Sequence, residues 1–123
     1  MKKILIAEDE EILRMLIADT LEDGDFEVDE AEDGEEALKL LEKKQFDLVI
    51  LDYMMPGLTG LDVIRKIRGE QALNKEVKIL MLSAKSQQNE QEEVLKAGAD
   101  FFMVKPFSPL QLFEKVGKIV DEA

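Results

Sequence analysis

Short strand-like segments alternating strictly with helical patterns constrain this chain more than any other feature. Ile4 to Ala7, Leu48 to Leu51, Val77 to Leu82 and Phe101 to Val104 are near-continuously apolar, as strands buried on both faces are. Phe26 to Glu32 instead sets Phe26 and Val28 against Glu27 and Asp29, the period-two pattern of a strand half exposed at a sheet edge. Parallel strands need long crossovers, which helices supply, and right-handed crossovers leave few topologies. The expectation is a doubly wound α/β fold, a five-stranded parallel sheet with helices on both faces.

The intervening segments carry helix punctuation. Ile12, Leu13, Leu16, Ile17 and Leu21 recur at helical spacing before Gly24, which is expected to end the first helix. Asp33 with Glu36, and Thr59 with Asp62, have the spacing of capping boxes. The helices they open carry Ala37, Leu38 and Leu41 in one case and Leu61, Ile64 and Ile67 in the other. Gly69 stops the third helix, and residues 70 to 76 make a polar loop into strand 4. Val94, Leu95 and Ala97 line a fourth helix ending at Gly98. Ser108, Pro109 and Gln111 read as N-cap, N1 and N3 of a last helix lined by Leu112, Phe113, Val116 and Ile119. No linker, repeat or low-complexity segment interrupts residues 1–123, so a single domain is expected.

Composition narrows the chemistry. A formal net charge of -12 with no long Lys/Arg run argues against direct nucleic-acid binding and against anionic membrane surfaces. No apolar run approaches the roughly 20 residues of a membrane span, and Ile4 to Ala7 is too short for a signal peptide, so a cytoplasmic protein is expected. With neither Cys nor His, the chain has no thiolate, no imidazole base and no usual zinc site. Any metal must be held by oxygen, which points to Mg2+, Ca2+ or Mn2+.

In a parallel sheet the residues that end the strands gather along one edge, where ligands of open α/β sheets bind. Here strand 1 runs into Glu8 and Asp9, strand 3 into Asp52, strand 4 into Ser83 and strand 5 into Lys105. Singly, each has a structural reading: a helix N-terminus favours Glu8 and Asp9, Ser83 ends a strand, and Lys105 is solvated. Jointly, three carboxylates, a hydroxyl and an ammonium suit divalent-cation binding and acceptance of a phosphoryl group. Clustered carboxylates repel one another, so Mg2+ and Lys105 would keep Asp52 ionised and nucleophilic.

The chain resembles the receiver domain of two-component response regulators, in particular chemotaxis-type regulators. The resemblance rests on Glu8 and Asp9 after strand 1, LVILDYMMPGLTG around Asp52, MLSAK with Ser83, KAGAD at 96–100, and FFMVKPF with Lys105. It implies a flavodoxin-like (βα)5 sheet of order 2-1-3-4-5. It further implies Asp52 as phosphoacceptor, Asp9, Asp52 and the Met54 carbonyl as Mg2+ ligands, and Glu8 acting through water, with Mn2+ as a possible substitute ion. By the same resemblance Ser83 and Lys105 contact the phosphoryl group, and Phe102 is an aromatic switch that turns inward as Ser83 moves. The family commonly has a cis bond where this chain has Lys105-Pro106, although for X-Pro bonds in general trans is the expectation. Glu8 stands where Asp is frequent and Ser83 where Thr is common. Met54 and Lys85 occupy the positions at which the family tunes loss of the phosphoryl group to water.

The resulting expectation is a phosphorylation-dependent signalling switch. It is charged by a sensor histidine kinase or a histidine phosphotransfer protein, and it controls a downstream protein target through the face made by helix 4, strand 5 and helix 5. It performs its own phosphotransfer and dephosphorylation without being an enzyme toward other substrates. The chain stops just after helix 5, so no effector domain is expected within it; it is either a stand-alone regulator or a receiver cut from a longer protein. A different class, the aspartyl-nucleophile phosphatases of haloacid-dehalogenase type, has a second acid two residues after its nucleophile, where this chain has Met54. A non-phosphorylated interaction module is the third reading, and the acidic pair, Asp52, Ser83 and Lys105 speak against it.

Overall fold

The computed structural model describes residues 1–69, 72–84 and 89–121. Strands and helices alternate from end to end: β1 (Lys3–Ala7), α1 (Glu11–Glu22), β2 (Glu27–Ala31), α2 (Gly34–Lys43), β3 (Leu48–Asp52), α3 (Gly60–Ile67), β4 (Lys78–Ala84), α4 (Gln91–Ala97), β5 (Phe101–Lys105) and α5 (Pro109–Asp121). All strand pairings are parallel, in the order β2-β1-β3-β4-β5, as expected for the doubly wound sheet. No helix among the described residues is long and apolar enough to cross a membrane.

Period-two alternation splits the core into two layers. Ile4, Ile6, Leu48, Ile50, Leu80 and Leu82 face α1 and α5, where Ile17, Leu21, Leu112 and Val116 cover them. Leu5, Val49, Leu51, Ile79 and Met81 face the opposite way, against Leu41, Ile64, Ile67 and Val94 of α2, α3 and α4. Both sides of β1, β3 and β4 are thus dry, and each fully buried aliphatic side chain contributes about 1.5–3 kcal/mol. β2 at the edge keeps Glu27, Val28, Asp29 and Glu30 at least partly exposed, matching its alternating sequence.

The helix punctuation works largely as its spacing predicts. Thr59 and Asp62 form a complete capping box, and Ser108 and Gln111 exchange reciprocal hydrogen bonds of 2.9 and 3.1 Å. Asp33 accepts from the Glu36 amide at 2.8 Å, the forward half of its box. Gly24 plays a different part from the one expected. The left-handed residue after α1 is Asp25, at φ 66°, and a Cβ on Gly24 would run into the Phe113 ring. Three expected inner-stripe residues also face outward: Ile12 is 78% exposed, and Leu16 and Leu95 are exposed as well. Phe113 sits half covered against Phe26.

Gly60 sets the approach of α3 to the end of β3. Its amide donates to the Tyr53 carbonyl at 2.8 Å, and a Cβ there would lie 2.8 Å from the Asp52 carbonyl oxygen and 3.0 Å from the Tyr53 Cα. Backbone cannot rotate aside as a side chain can. Gly60→Ala is therefore expected to cost about 1–3 kcal/mol in urea unfolding, as overpacked sites do. Unchanged stability would show that α3 sits further from β3.

Candidate functional site

The alternation that builds the core also aims the site. Glu8 continues the row Ile4, Ile6; Asp52 continues Leu48, Ile50; and Lys105 continues Phe101, Met103, all on the α1/α5 side. Three side chains from three strands therefore meet at one rim of the sheet. Lys105 Nζ lies 3.0 Å from Glu8 Oε1 and 3.1 Å from Asp52 Oδ1, bridging two carboxylates that are 1% and 4% exposed. Burial lowers the Lys105 pKa, but the Glu8 hydrogen bond and the Asp52 charge outweigh it and leave the ammonium held above its usual value.

Glu8 is fixed on every side. Its amide extends the β1-β2 ladder to the Ala31 carbonyl at 3.2 Å, its Oε2 accepts from the Glu10 amide at 3.2 Å, and its carbonyl accepts from Arg14 Nη1 at 2.8 Å. Asp9, the next residue, is exposed. One carboxylate oxygen from each of Glu8, Asp9 and Asp52 lies within 4.8 Å of the others, an all-oxygen group suited to a hard divalent cation. Partial burial, the Glu8 hydrogen bond and the Glu8 charge together push the Asp9 pKa up from 3.8, the direction expected where anions crowd without a compensating cation.

That shift has a sign. A carboxyl that binds its proton more tightly when folded opposes folding above its folded pKa, and the opposition fades as the pH falls through that value. Asp9→Asn is thus expected to stabilise the metal-free protein at pH 7 by about 0.5 kcal/mol, a small figure because solvent screens an exposed group. The gain should vanish near pH 3, below the ordinary carboxyl value. Denaturant melts at both pH values check this; a variant less stable than wild type at pH 7 would contradict it.

Ser83, on β4 one residue beyond the Leu82 that pairs with Asp52, is 2% exposed, and its hydroxyl has no hydrogen-bond partner among the described residues. A buried hydroxyl left unsatisfied costs about 1–3 kcal/mol, so it is a group waiting for a partner. Phe102 pairs in register with Met81 and packs into the opposite layer, on the α2/α3/α4 side. Met54 lies on the loop after β3 with its side chain 56% exposed. The peptide bond joining Lys105 to Pro106 is cis, against the general expectation for X-Pro bonds. Lys85 lies outside the described residues.

Arg14 is the participant that sequence reasoning missed. It was legible as a lone charge on the stripe Arg14, Ile17, Ala18, Leu21, all buried in α1. A hollow of about 500 Å3, lined by Leu38, Leu41, Ile67 and Leu73, lies between α2 and α3 and includes none of the rim residues.

Comparison with known proteins agrees with this fold. Residues 4–117 match the response regulator receiver domain family. The chain is 40% identical over 119 residues to the alkaline phosphatase synthesis transcriptional regulatory protein PhoP of Bacillus subtilis, covering 97% of this chain and 48% of that protein. It is 38% identical to the chemotaxis protein CheY-3 of Vibrio cholerae, covering 97% and 92%. It therefore spans about half the length of the first relative and nearly all of the second. Among solved structures, the Thermotoga maritima response regulator TrrA, in complex with Mg2+-BeF, superposes with a TM-score of 0.83 at 40% identity, covering 97% and 99% of the two chains. The five-stranded sheet of order 2-1-3-4-5 and the match over residues 4–117 agree, and this chain belongs to the receiver domains of two-component response regulators.

Proposed function

We propose that residues 1–123 form one receiver domain that is phosphorylated on Asp52. The observation that carries this reading is Lys105 bridging Glu8 and Asp52 in one Mg2+-compatible rim with the buried Ser83 hydroxyl nearby in the sheet. A carboxylate oxygen of Asp52 attacks phosphorus, the bond from phosphorus to the donor histidine nitrogen breaks, and that nitrogen keeps the electron pair. Lys105 neutralises charge on the phosphoryl oxygens, and the Ser83 hydroxyl donates to one of them. Asp9, Asp52 and the Met54 carbonyl would hold Mg2+, with Glu8 acting through water; the bound ion supplies positive charge to the same oxygens. The complex of the Thermotoga relative with Mg2+ and BeF, a phosphoryl-like group, supports this assignment.

The donor is a sensor histidine kinase or histidine phosphotransfer protein. Phosphorylation adds about -1.5 to -2 charge beside Lys105. Phe102 lies on the same sheet face as Ser83, two strand positions from its row, so movement of Ser83 is relayed to α4, β5 and α5, the face offered to a downstream target. An apolar, exposed Met54 cannot orient a hydrolytic water, which favours a long-lived signal.

Incubation with a small phosphodonor and Mg2+, followed by intact mass, tests the reading. One added phosphoryl group, lost with a chelator, is the expected result; an unmodified protein would sink it. For the output face, Phe102 and α4 signals should shift on beryllofluoride binding, and unmoved signals would remove that part.

A further inference from the structure

Arg14 lies on the buried stripe of α1 with its side chain only 11% exposed, and a guanidinium keeps its charge there only with partners. Nε is 3.4 Å from Glu30 and Nη2 is 3.9 Å from Glu32, but both carboxylates are exposed, so these pairs are weak. The buried contact is Nη1 to the Glu8 carbonyl at 2.8 Å. That carbonyl belongs to the peptide joining Glu8 to Asp9. On the other side of Glu8, the amide is held by Ala31, and its side chain is held by Lys105 and the Glu10 amide.

We propose that Arg14 is a positioning residue for the acidic pair. By holding the Glu8 carbonyl it fixes the plane of the Glu8-Asp9 peptide, and so the directions in which both carboxylates leave the loop between β1 and α1. Through Glu8 it also sets Lys105 beside Asp52. This inference deepens the proposed function and rests on its reading of Glu8, Asp9 and Asp52 as a Mg2+ site. A lysine at position 14 would keep the charge but not the planar fork that reaches a carbonyl and two carboxylates at once.

Calorimetric Mg2+ titration of the full chain, with amide NMR spectra of the metal-free protein, tests it in wild type, Arg14→Ala and Arg14→Lys. Asn74→Ala is the destabilised control: Asn74 is buried away from the rim and bonds the Phe46 amide and the Leu41 and Lys44 carbonyls. Arg14→Ala should weaken Mg2+ about 10–100-fold, as loss of groups that orient metal ligands does, and shift the Asp9 amide signal before metal is added. Arg14→Lys should recover part of the affinity, while Asn74→Ala lowers the melting temperature and keeps wild-type affinity. Where Arg14→Ala does not fold, Arg14→Lys carries the comparison: a several-fold loss supports the proposal and unchanged affinity overturns it. Wild-type affinity with an unmoved Asp9 amide in Arg14→Ala overturns this proposal alone. A wild type that binds no Mg2+ overturns the metal reading and this proposal together.

Discussion

Asp52→Asn is expected to abolish phosphoryl labelling while leaving the domain folded. Asn has the shape of Asp and retains an oxygen to accept from Lys105 Nζ, which sits 3.1 Å from Asp52 Oδ1. Lys105 also keeps Glu8 as its counter-ion, so no buried charge is stranded and stability should stay within about 1 kcal/mol of wild type. The amide nitrogen has its lone pair delocalised into the carbonyl and is no nucleophile, so the loss of labelling should be complete rather than partial. Mg2+ affinity should fall as well, because one of three converging carboxylates is gone. Intact mass after incubation with a phosphodonor reads the first effect and calorimetry the second. The wild-type label should be released by hydroxylamine, as acyl phosphates are; equal labelling of the Asn variant would move the acceptor elsewhere.

The strand ends were the legible part of this protein because one physical rule places them. Parallel strands bring their C-terminal residues to one edge, so Glu8, Asp9, Asp52, Ser83 and Lys105 could be expected together before any distance was known. The period-two alternation then puts Glu8, Asp52 and Lys105 on the same face, and the structure brings those three within bonding distance. Helix α1 was less legible. Ile12, Leu13, Met15, Leu16, Ile17 and Leu21 offer overlapping apolar stripes, and periodicity alone does not say which one turns inward. Contact with α5 and β1 selects Ile17, Ala18 and Leu21, which leaves Ile12 outside and carries Arg14 in.

Other features depend on partners remote in the chain. Arg68 donates to the Gly98, Lys75 and Val77 carbonyls and pairs with Asp100 at 3.0 Å, tying the end of α3 to the loops flanking β4. Asp100 also accepts from the Ile79 amide at 2.8 Å. Nothing local marks these residues, since an Arg after a helix most often meets water. Gly24 illustrates the same limit: its position near a helix end suggests a backbone role, whereas the Phe113 ring from α5 dictates its lack of a side chain.

Lys105→Met should have the second largest effect, and its pattern distinguishes a charge at the site from a mere strand-end residue. Met matches the length of the Lys stem but leaves Glu8 and Asp52, both nearly buried, facing each other without their cation. Breaking a buried pair in this way costs about 3–5 kcal/mol; the partial exposure of Lys105 reduces the expected loss to about 2–3 kcal/mol at pH 7. The Lys105 pKa is raised in the folded state, so its contribution is fully present below the ordinary lysine value of 10.5 and is lost only as the pH rises through the higher folded value. The difference between variant and wild type should accordingly persist through neutral pH. Added Mg2+ should restore more stability to the variant than to wild type, because it supplies the missing positive charge to the same oxygens. Labelling should nevertheless stay slow, by about 10²–10³-fold, the usual cost of one lost donor to a charge developing in the transition state. Urea melts across pH with and without Mg2+, combined with labelling time courses, measure all of this. Wild-type rates in Lys105→Met would remove the ammonium from the chemistry and leave it a structural tie between β1, β3 and β5.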